Sequence, residues 1–163
     1  MPKKPLMLVL LICFLAASHL NAATVSFLVI ETGLARDMPT SQYSTMWENG
    51  LLDVFFEYGH IVSNSPLLRL YQKPDDGFPD EAERDYDEAN EGGMNYFIIA
   101  VLEYPSPHGN ANMKPKNVSL RLFSTKSTEM IIEQKYIDKE AKTQKEDYDN
   151  IKNAIAEMAV RVK

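Results

Sequence analysis

The chain has 163 residues, a formal net charge of −6 at neutral pH and a single cysteine, Cys13. An acidic surface is repelled by nucleic acid and by anionic lipid, so the composition disfavours both as partners. Three histidines and one cysteine are a poor set of ligands for an iron–sulfur cluster or for a zinc site built on thiolates. We therefore expect no metal and no cofactor.

Residues 1–23 have the layout of a cleavable secretory signal. Their apolar run is about 12 residues long, short of the roughly 20 that a membrane-spanning helix needs. Cys13 lies inside this run and not at its end, which argues against a lipoprotein. A positive start precedes the run and small residues follow it: Lys3, Lys4, Ala22 and Ala23. We expect residues 1–23 to be removed and residues 24–163 to form one periplasmic or secreted domain without stable membrane insertion.

The first part of this domain predicts a strand followed by a helix. Residues 24–32 are β-branched and aromatic, which favours a buried strand. A helix is expected to start near Thr45, with Glu48 completing a capping box, and to stop at Gly59. Its apolar stripe should face the sheet through Trp47, Leu51, Phe55 and Tyr58.

The remaining pattern completes a mixed fold. It predicts a strand at 61–71 that Pro66 interrupts, an acidic surface helix at 79–91 and a central strand at 94–104. Strands at 117–124 and 129–137 should form a half-exposed antiparallel hairpin, with Met130, Ile132 and Tyr136 on one face. The last element should be a helix that starts near Thr143 and is capped with Glu146. The order β-α-β-α-β-β-β-α predicts an α/β (α+β) domain with a single mixed sheet and helices packed mainly on one face. The first β-α-β unit should be parallel and the last three strands antiparallel.

Three segments resemble a known fold class: "LLDVFFEYGHIV", "GGMNYFIIAVLEY" and "VSLRLFSTKSTEMIIEQKY". With the export signal, their order is similar to the envelope-associated fold of the TolB N-terminal domain, CsgG and LpoB. Residues 93–97 stand where Gly-Ala-Asp-Tyr-Leu opens the third strand in those proteins, with Asn95 in place of the aspartate. The resemblance implies a mixed α/β domain that binds partner proteins or assembles into envelope machinery without catalysis. It does not extend to the lipid anchor of CsgG and LpoB or to the propeller of TolB.

Two histidines follow the signal, His60 and His108. His60, with Asn64 and Ser63 close behind it, marks a candidate polar site in which the imidazole would act as a base. No spacing fixes the orienting acid that such a site needs, and a histidine after a helix stop can instead bond the last carbonyls. The sequence therefore assigns no catalytic residue and no metal ligand.

The connection 105–116 is longer than a hairpin requires, which favours a recognition surface. Its candidate partner-binding side chains are Tyr104, His108 and Met113. The sequence thus favours an exported, non-enzymatic protein-interaction or assembly module of the bacterial cell envelope, with an envelope protein as partner and oligomer formation open. Two alternatives remain: a secreted hydrolase that uses His60, and a small-ligand-binding domain that uses the open face of the hairpin.

Overall fold

The computed structural model describes residues 22–74, 77–106, 112–137 and 140–162. Within these residues the helices and strands are β1 (Thr24–Thr32), α1 (Gln42–Glu57), β2 (Ile61–Asn64), β3 (Leu68–Leu70), α2 (Glu83–Glu91, after a 3-10 turn at Asp80–Ala82), β4 (Tyr96–Glu103), β5 (Asn117–Ser124), β6 (Met130–Tyr136) and α3 (Gln144–Ala159). The sequence placed β1 and β5 at the same bounds, because both are uninterrupted apolar or alternating runs with sharp ends.

The strands form one sheet in the order β2-β1-β4-β5-β6, and β3 also pairs with β1. Strand β1 is parallel to β2, β3 and β4, whereas β4, β5 and β6 form an antiparallel meander. The expectations of a single mixed sheet and of an α+β fold are confirmed. The predicted second strand is divided at Pro66 into β2 and β3, as a residue without a backbone N–H favours.

Helices α1 and α3 cover one face of the sheet, and α2 covers the other. The larger core cluster includes Trp47, Leu51 and Phe55 from α1, so these three side chains face the sheet as predicted. Gly50 lets α3 approach closely, because a Cβ atom there would lie 3.0 Å from side-chain atoms of Ile151 and of Ile155. The second cluster packs Ala82, Tyr86 and Ala89 on Leu28, Ile30, Phe97, Ile99, Val101 and Phe123. Helices therefore lie mainly on one face, as expected.

Two predictions about α1 are wrong. The helix begins after Ser41, whose side chain accepts a hydrogen bond from the Tyr43 N–H, so Thr45 lies inside the helix and does not cap it. Tyr58 is 45% exposed, because α1 ends at Glu57 and the residue after it no longer follows the helical stripe. The predicted stop at Gly59 is confirmed by its positive φ of 83°.

The hairpin of β5 and β6 also departs from expectation. Strand β5 is buried on both faces except at its ends, because α2 and its preceding turn cover the face that was expected to meet water. A bulge between Leu122 and Phe123 shifts the register, so that Phe123 pairs with Met130 and Leu122 pairs with Ile132. Cross-strand partners share a face, so Met130 and Ile132 lie on opposite faces and not on one.

Candidate functional site

A buried carboxylate stands at the carboxyl end of β1. Glu31 is fully buried, and its Oε1 accepts hydrogen bonds from the Ser41 N–H (3.0 Å) and the Ser44 hydroxyl (2.6 Å). Its Oε2 accepts from Arg69 Nε at 2.8 Å and also from Arg69 Nη2. The Tyr104 hydroxyl lies 2.8 Å from the Ser44 oxygen. A buried charge needs this degree of pairing, and here strand β3 and the start of α1 supply it.

Arg69 also holds the loop that joins β1 to α1. Its guanidinium donates to the carbonyl oxygens of Ala35 (3.1 Å), Met38 and Pro39 (3.3 Å). A planar guanidinium carries five donors in a fixed fork, so one side chain can bind a carboxylate and several carbonyls together. The Glu31–Arg69 pair therefore fixes the loop against the edge of the sheet.

The candidates of the 105–116 connection have different environments. Tyr104 is buried, and burial is the main reason that its pKa is raised to about 12. Met113 is half-buried, and its carbonyl accepts from the Ser41 hydroxyl at 3.2 Å. Lys114 follows and forms an ion pair with Asp147 of α3 at 2.5 Å. The described ends of the connection are thus held against α1 and α3, whereas His108 lies outside the described residues.

His60 joins three segments of the chain. Its Nδ1 accepts a hydrogen bond from the Ala23 N–H at 3.3 Å, and the backbone N–H of His60 donates to the Phe55 carbonyl. The other ring nitrogen bonds the carbonyl of Ala159 at the end of α3. Burial lowers the pKa of His60, and the bond to Ala159 raises it by less. The imidazole therefore forms a hydrogen bond with the end of α3 and not with the end of α1, the helix that precedes His60.

Asn64 and His60 are not brought together. His60 directly precedes β2 and Asn64 is the last residue of that strand, a separation of about 13 Å at roughly 3.3 Å per residue. Asn64 forms a hydrogen bond with the Glu48 carboxyl, which opposes the rise in the pKa of Glu48 that burial causes. Ser63 lies at an odd offset from His60 and so projects from the other face of the strand. No nucleophile–base pair forms at this position.

An open groove of about 530 Å³ lies beside the Glu31–Arg69 pair. Strand β1 leads to α1 on one face of the sheet, while the neighbouring β3 leads to α2 on the other face. Connections that diverge at neighbouring parallel strands leave a crevice outside their carboxyl ends, and α/β sheets bind ligands there. The groove is lined by Arg36, Leu70, Tyr71, Gln72, Lys73, Pro74, Phe78, Pro79, Asp80 and Glu81.

The side chains of this groove are polar and aromatic. Tyr71 is 75% exposed at the end of β3, and Arg36 extends from the loop that Arg69 holds. Lys73 forms an ion pair with Glu103 of β4 at 2.5 Å, which ties one wall of the groove to the sheet. The groove thus combines one wall fixed by an ion pair with an exposed aromatic ring and a guanidinium.

Among the residues that the structure describes, no group of three or more His, Cys, Asp or Glu side chains could hold a metal ion. Across the same ranges, no helix has both the length and the apolar character that crossing a bilayer requires.

Sequence reasoning missed both the Glu31 cluster and the groove. A glutamate at the end of a buried strand is a usable signal, because a buried carboxylate must find a cation or donors. The groove has no such signal, since it arises where two loops from separate parts of the chain diverge.

The fold and the groove define an α/β domain with an open crevice at the carboxyl edge of its parallel strands. A family model described as "Uncharacterised protein" matches residues 24–162, and the chain belongs to that family. No curated protein matches the sequence.

Several solved structures are similar to this chain at low identity. The PelC dodecamer from Paraburkholderia phytofirmans has a TM-score of 0.48 and 10% identity over 87% of this chain and 89% of its own. TolB from Acinetobacter baumannii has a TM-score of 0.42 and 10% identity, over 85% of this chain but 28% of its own. A putative neuraminyllactose-binding hemagglutinin homolog from Helicobacter pylori has a TM-score of 0.34 and 14% identity, over 86% and 83%. TolB was named from the sequence, whereas the resemblance to CsgG and LpoB stays a prediction.

Proposed function

We propose that the chain is an exported, non-enzymatic protein-interaction module of the bacterial cell envelope that receives its partner in the groove beside β3. The observation that carries this proposal is that an exposed Tyr71 lines the same groove as Arg36, which extends from the loop that Arg69 holds. Tyrosine and arginine are among the residues that contribute most to protein interfaces, and a fixed loop lowers the entropy lost on binding.

Two side chains that the structure describes, His60 and Tyr104, support binding over catalysis, because each has a partner within the fold. The His60 ring connects Ala23 to Ala159, and the Tyr104 hydroxyl bonds Ser44, which in turn bonds Glu31. Tyr104 lies against Ser44 and the Met113 carbonyl accepts from Ser41, both near the start of α1. We place the main contact surface at Tyr71 and Arg36, and contact through Tyr104, His108 and Met113 stays a prediction.

Export is part of the proposal, and the start of β1 suggests where the mature chain begins. Ala23 is only 3% exposed; its N–H donates to His60 Nδ1 and its carbonyl accepts from the Ile61 N–H. A mature chain that began at Thr24 would lose both bonds. We therefore place cleavage before Ala23, and the intact mass of the protein recovered from the periplasm tests this position.

Affinity capture tests the partner groove. Tagged mature protein is incubated with a detergent-solubilised envelope, and bound proteins are identified by mass spectrometry. We expect one or a few envelope proteins with the unmodified chain and a loss of at least about tenfold in the Tyr71→Ala/Arg36→Ala variant, since hot-spot residues cost about 2 kcal/mol or more each when truncated. Phe56→Ala is the matched control, because Phe56 is 74% exposed on the outer side of α1. Equal recovery by both variants would contradict the proposal.

A small-ligand-binding domain is the second candidate, and the groove favours it too. Its volume of about 530 Å³ lies within the range of small-molecule sites. The position differs from the open hairpin face expected from the sequence. Native mass spectrometry of protein purified from its own periplasm separates the two candidates: a retained small adduct that Tyr71→Ala loses, without any captured protein, would replace the first by the second.

A further inference from the structure

The two lateral edges of the sheet differ. At one edge, β2 and β3 have four and three residues and are separated by Pro66. At the other edge β6 has seven residues and, within the described ranges, pairs with β5 alone. A long edge strand presents a row of N–H and C=O groups to another chain. Apolar side chains stand at this edge, with Ile131 47% and Ile137 76% exposed.

The sequence of this edge is self-complementary about Gln134. Residues 131–137 are IIEQKYI, so an isoleucine stands three positions to either side of the centre, and one position to either side stand a glutamate and a lysine. When two copies pair antiparallel about Gln134, Glu133 of each copy lies opposite Lys135 of the other. The same register sets Ile131 opposite Ile137 and Ile132 opposite Tyr136.

Neighbouring registers lack this complementarity. An antiparallel pair centred on residue 133 would set two Glu133 side chains against each other, and one centred on residue 135 would do the same for Lys135. Like charges that lie directly opposite each other destabilise a strand pair, and opposite charges stabilise it. Charge therefore selects the register centred on Gln134.

Contacts within β5 and β6 hold the glutamate in place for this pairing. Glu133 Oε1 accepts from Arg121 Nε and from the Ser119 hydroxyl, both at 3.3 Å, and Arg121 is fully buried. Glu133 Oε2 lies 3.7 Å from Lys135 Nζ of the same strand. The bulge lies at the Met130 end, so the pairing of residues 132–136 with β5 is regular.

We propose that two copies of this chain pair through β6, antiparallel and about a two-fold axis at Gln134, and so join their sheets into one. This inference goes beyond the proposed function, because it names a second copy of the chain as a partner at a surface apart from the groove. The Tyr71 groove lies beside β3, at the opposite lateral edge, so the pair leaves both grooves open to the other partner.

Sedimentation of the mature protein tests the pair by charge. We expect a dimer whose fraction rises with protein concentration. Lys135→Glu should raise the dissociation constant at least about fivefold, because it places two pairs of glutamates opposite each other. Lys135→Arg should leave the constant unchanged. Lys145→Glu makes the same change of net charge on the exposed side of α3 and should leave the dimer unchanged. A monomer at all concentrations, or a Lys135→Glu dimer as tight as the unmodified one, would overturn the inference.

A disulfide tests the register without relying on charge. The mature chain carries no cysteine, since Cys13 lies within residues 1–23. Directly opposed residues in an antiparallel pair have Cα atoms about 4.5–5.5 Å apart, which suits a disulfide. Gln134→Cys should therefore oxidise to a covalent dimer. Lys135→Cys should form much less of it, because residue 135 of one copy lies opposite Glu133 of the other.

Equal crosslinking by the two variants would overturn the register. Partner capture reports separately on the groove: Lys135→Glu should dimerise more weakly yet still capture the envelope protein, and Tyr71→Ala/Arg36→Ala should lose that protein yet dimerise as the unmodified chain does. If the chain does not dimerise but still captures the envelope protein, this inference alone is overturned. If the chain dimerises but captures no envelope protein, the proposed function alone is overturned.

Discussion

Arg69 of β3 forms an ion pair with the fully buried Glu31 of β1, with Nε 2.8 Å from Oε2, and the two residues are direct cross-strand partners in the parallel register. Their pairing links the edge strand to the start of α1, because the second Glu31 oxygen binds Ser41 and Ser44. The cluster therefore fixes the loop that carries Arg36, one of the residues that line the groove.

Removing the Arg69 guanidinium should lower the free energy of unfolding. Arg69→Met leaves Glu31 buried without its cation, and such a loss costs about 3–5 kcal/mol. Chemical denaturation followed by circular dichroism gives the free energy of unfolding. Lys152→Met is the control, because its pair with Glu57 lies at the surface and is worth at most about 1 kcal/mol. Similar losses in both variants would contradict the structural role of the buried pair.

Trp47 should be indispensable to the core. Its side chain is buried and packs edge-on against the Tyr136 ring, with centroids 5.5 Å apart. Trp47→Ala should lower the free energy of unfolding by about 3–5 kcal/mol, as large-to-small core changes do. Since Trp47 is the one tryptophan in the chain, its fluorescence gives a direct test. Full quenching by iodide would place the side chain in water and refute this position.

Stability should fall with acid through His60. Burial lowers its folded-state pKa below the ordinary value of 6.5, so the unfolded chain binds the proton more readily. The contribution is complete above pH 6.5 and is lost as the pH falls toward the folded pKa, where a protonated Nδ1 can no longer accept from Ala23. Melting temperatures between pH 8 and pH 5 measure the effect.

The matched variant for this experiment is His60→Gln, which offers an amide acceptor without titrating in this range. The unmodified protein should lose more stability than the variant as the pH falls below about 6.5. Parallel pH profiles for the two proteins would show that His60 does not carry the dependence.

The sequence predicted elements that have a strong period and sharp ends, and missed features that depend on distant residues. The stripe of α1 was recognised, but its start was placed at Thr45, because Glu48 completes a local capping pattern. The actual cap is Ser41, whose N–H binds a carboxylate ten residues back on β1. No local rule anticipates that bond.

In the candidate sites, too, the sequence missed features that depend on distant residues. Because it follows a helix stop, His60 was expected to bond the last carbonyls of that helix, but the ring bonds Ala159 of α3, almost a hundred residues further along. The groove arises because the connections after β1 and β3 leave the sheet on opposite faces, and a single sequence does not specify which face each connection takes. The exposed Tyr71 was therefore read only as the end of a strand.

Photocrosslinking in living cells tests the central claim, a protein partner at the groove, most directly. A photoreactive phenylalanine analogue replaces Tyr71 in one strain and Phe56 in another, two aromatic positions of nearly equal exposure on different surfaces. We expect residue 71 to give a discrete crosslinked band containing an envelope protein and residue 56 to give none. No band at residue 71, or the same bands at both positions, would contradict the claim.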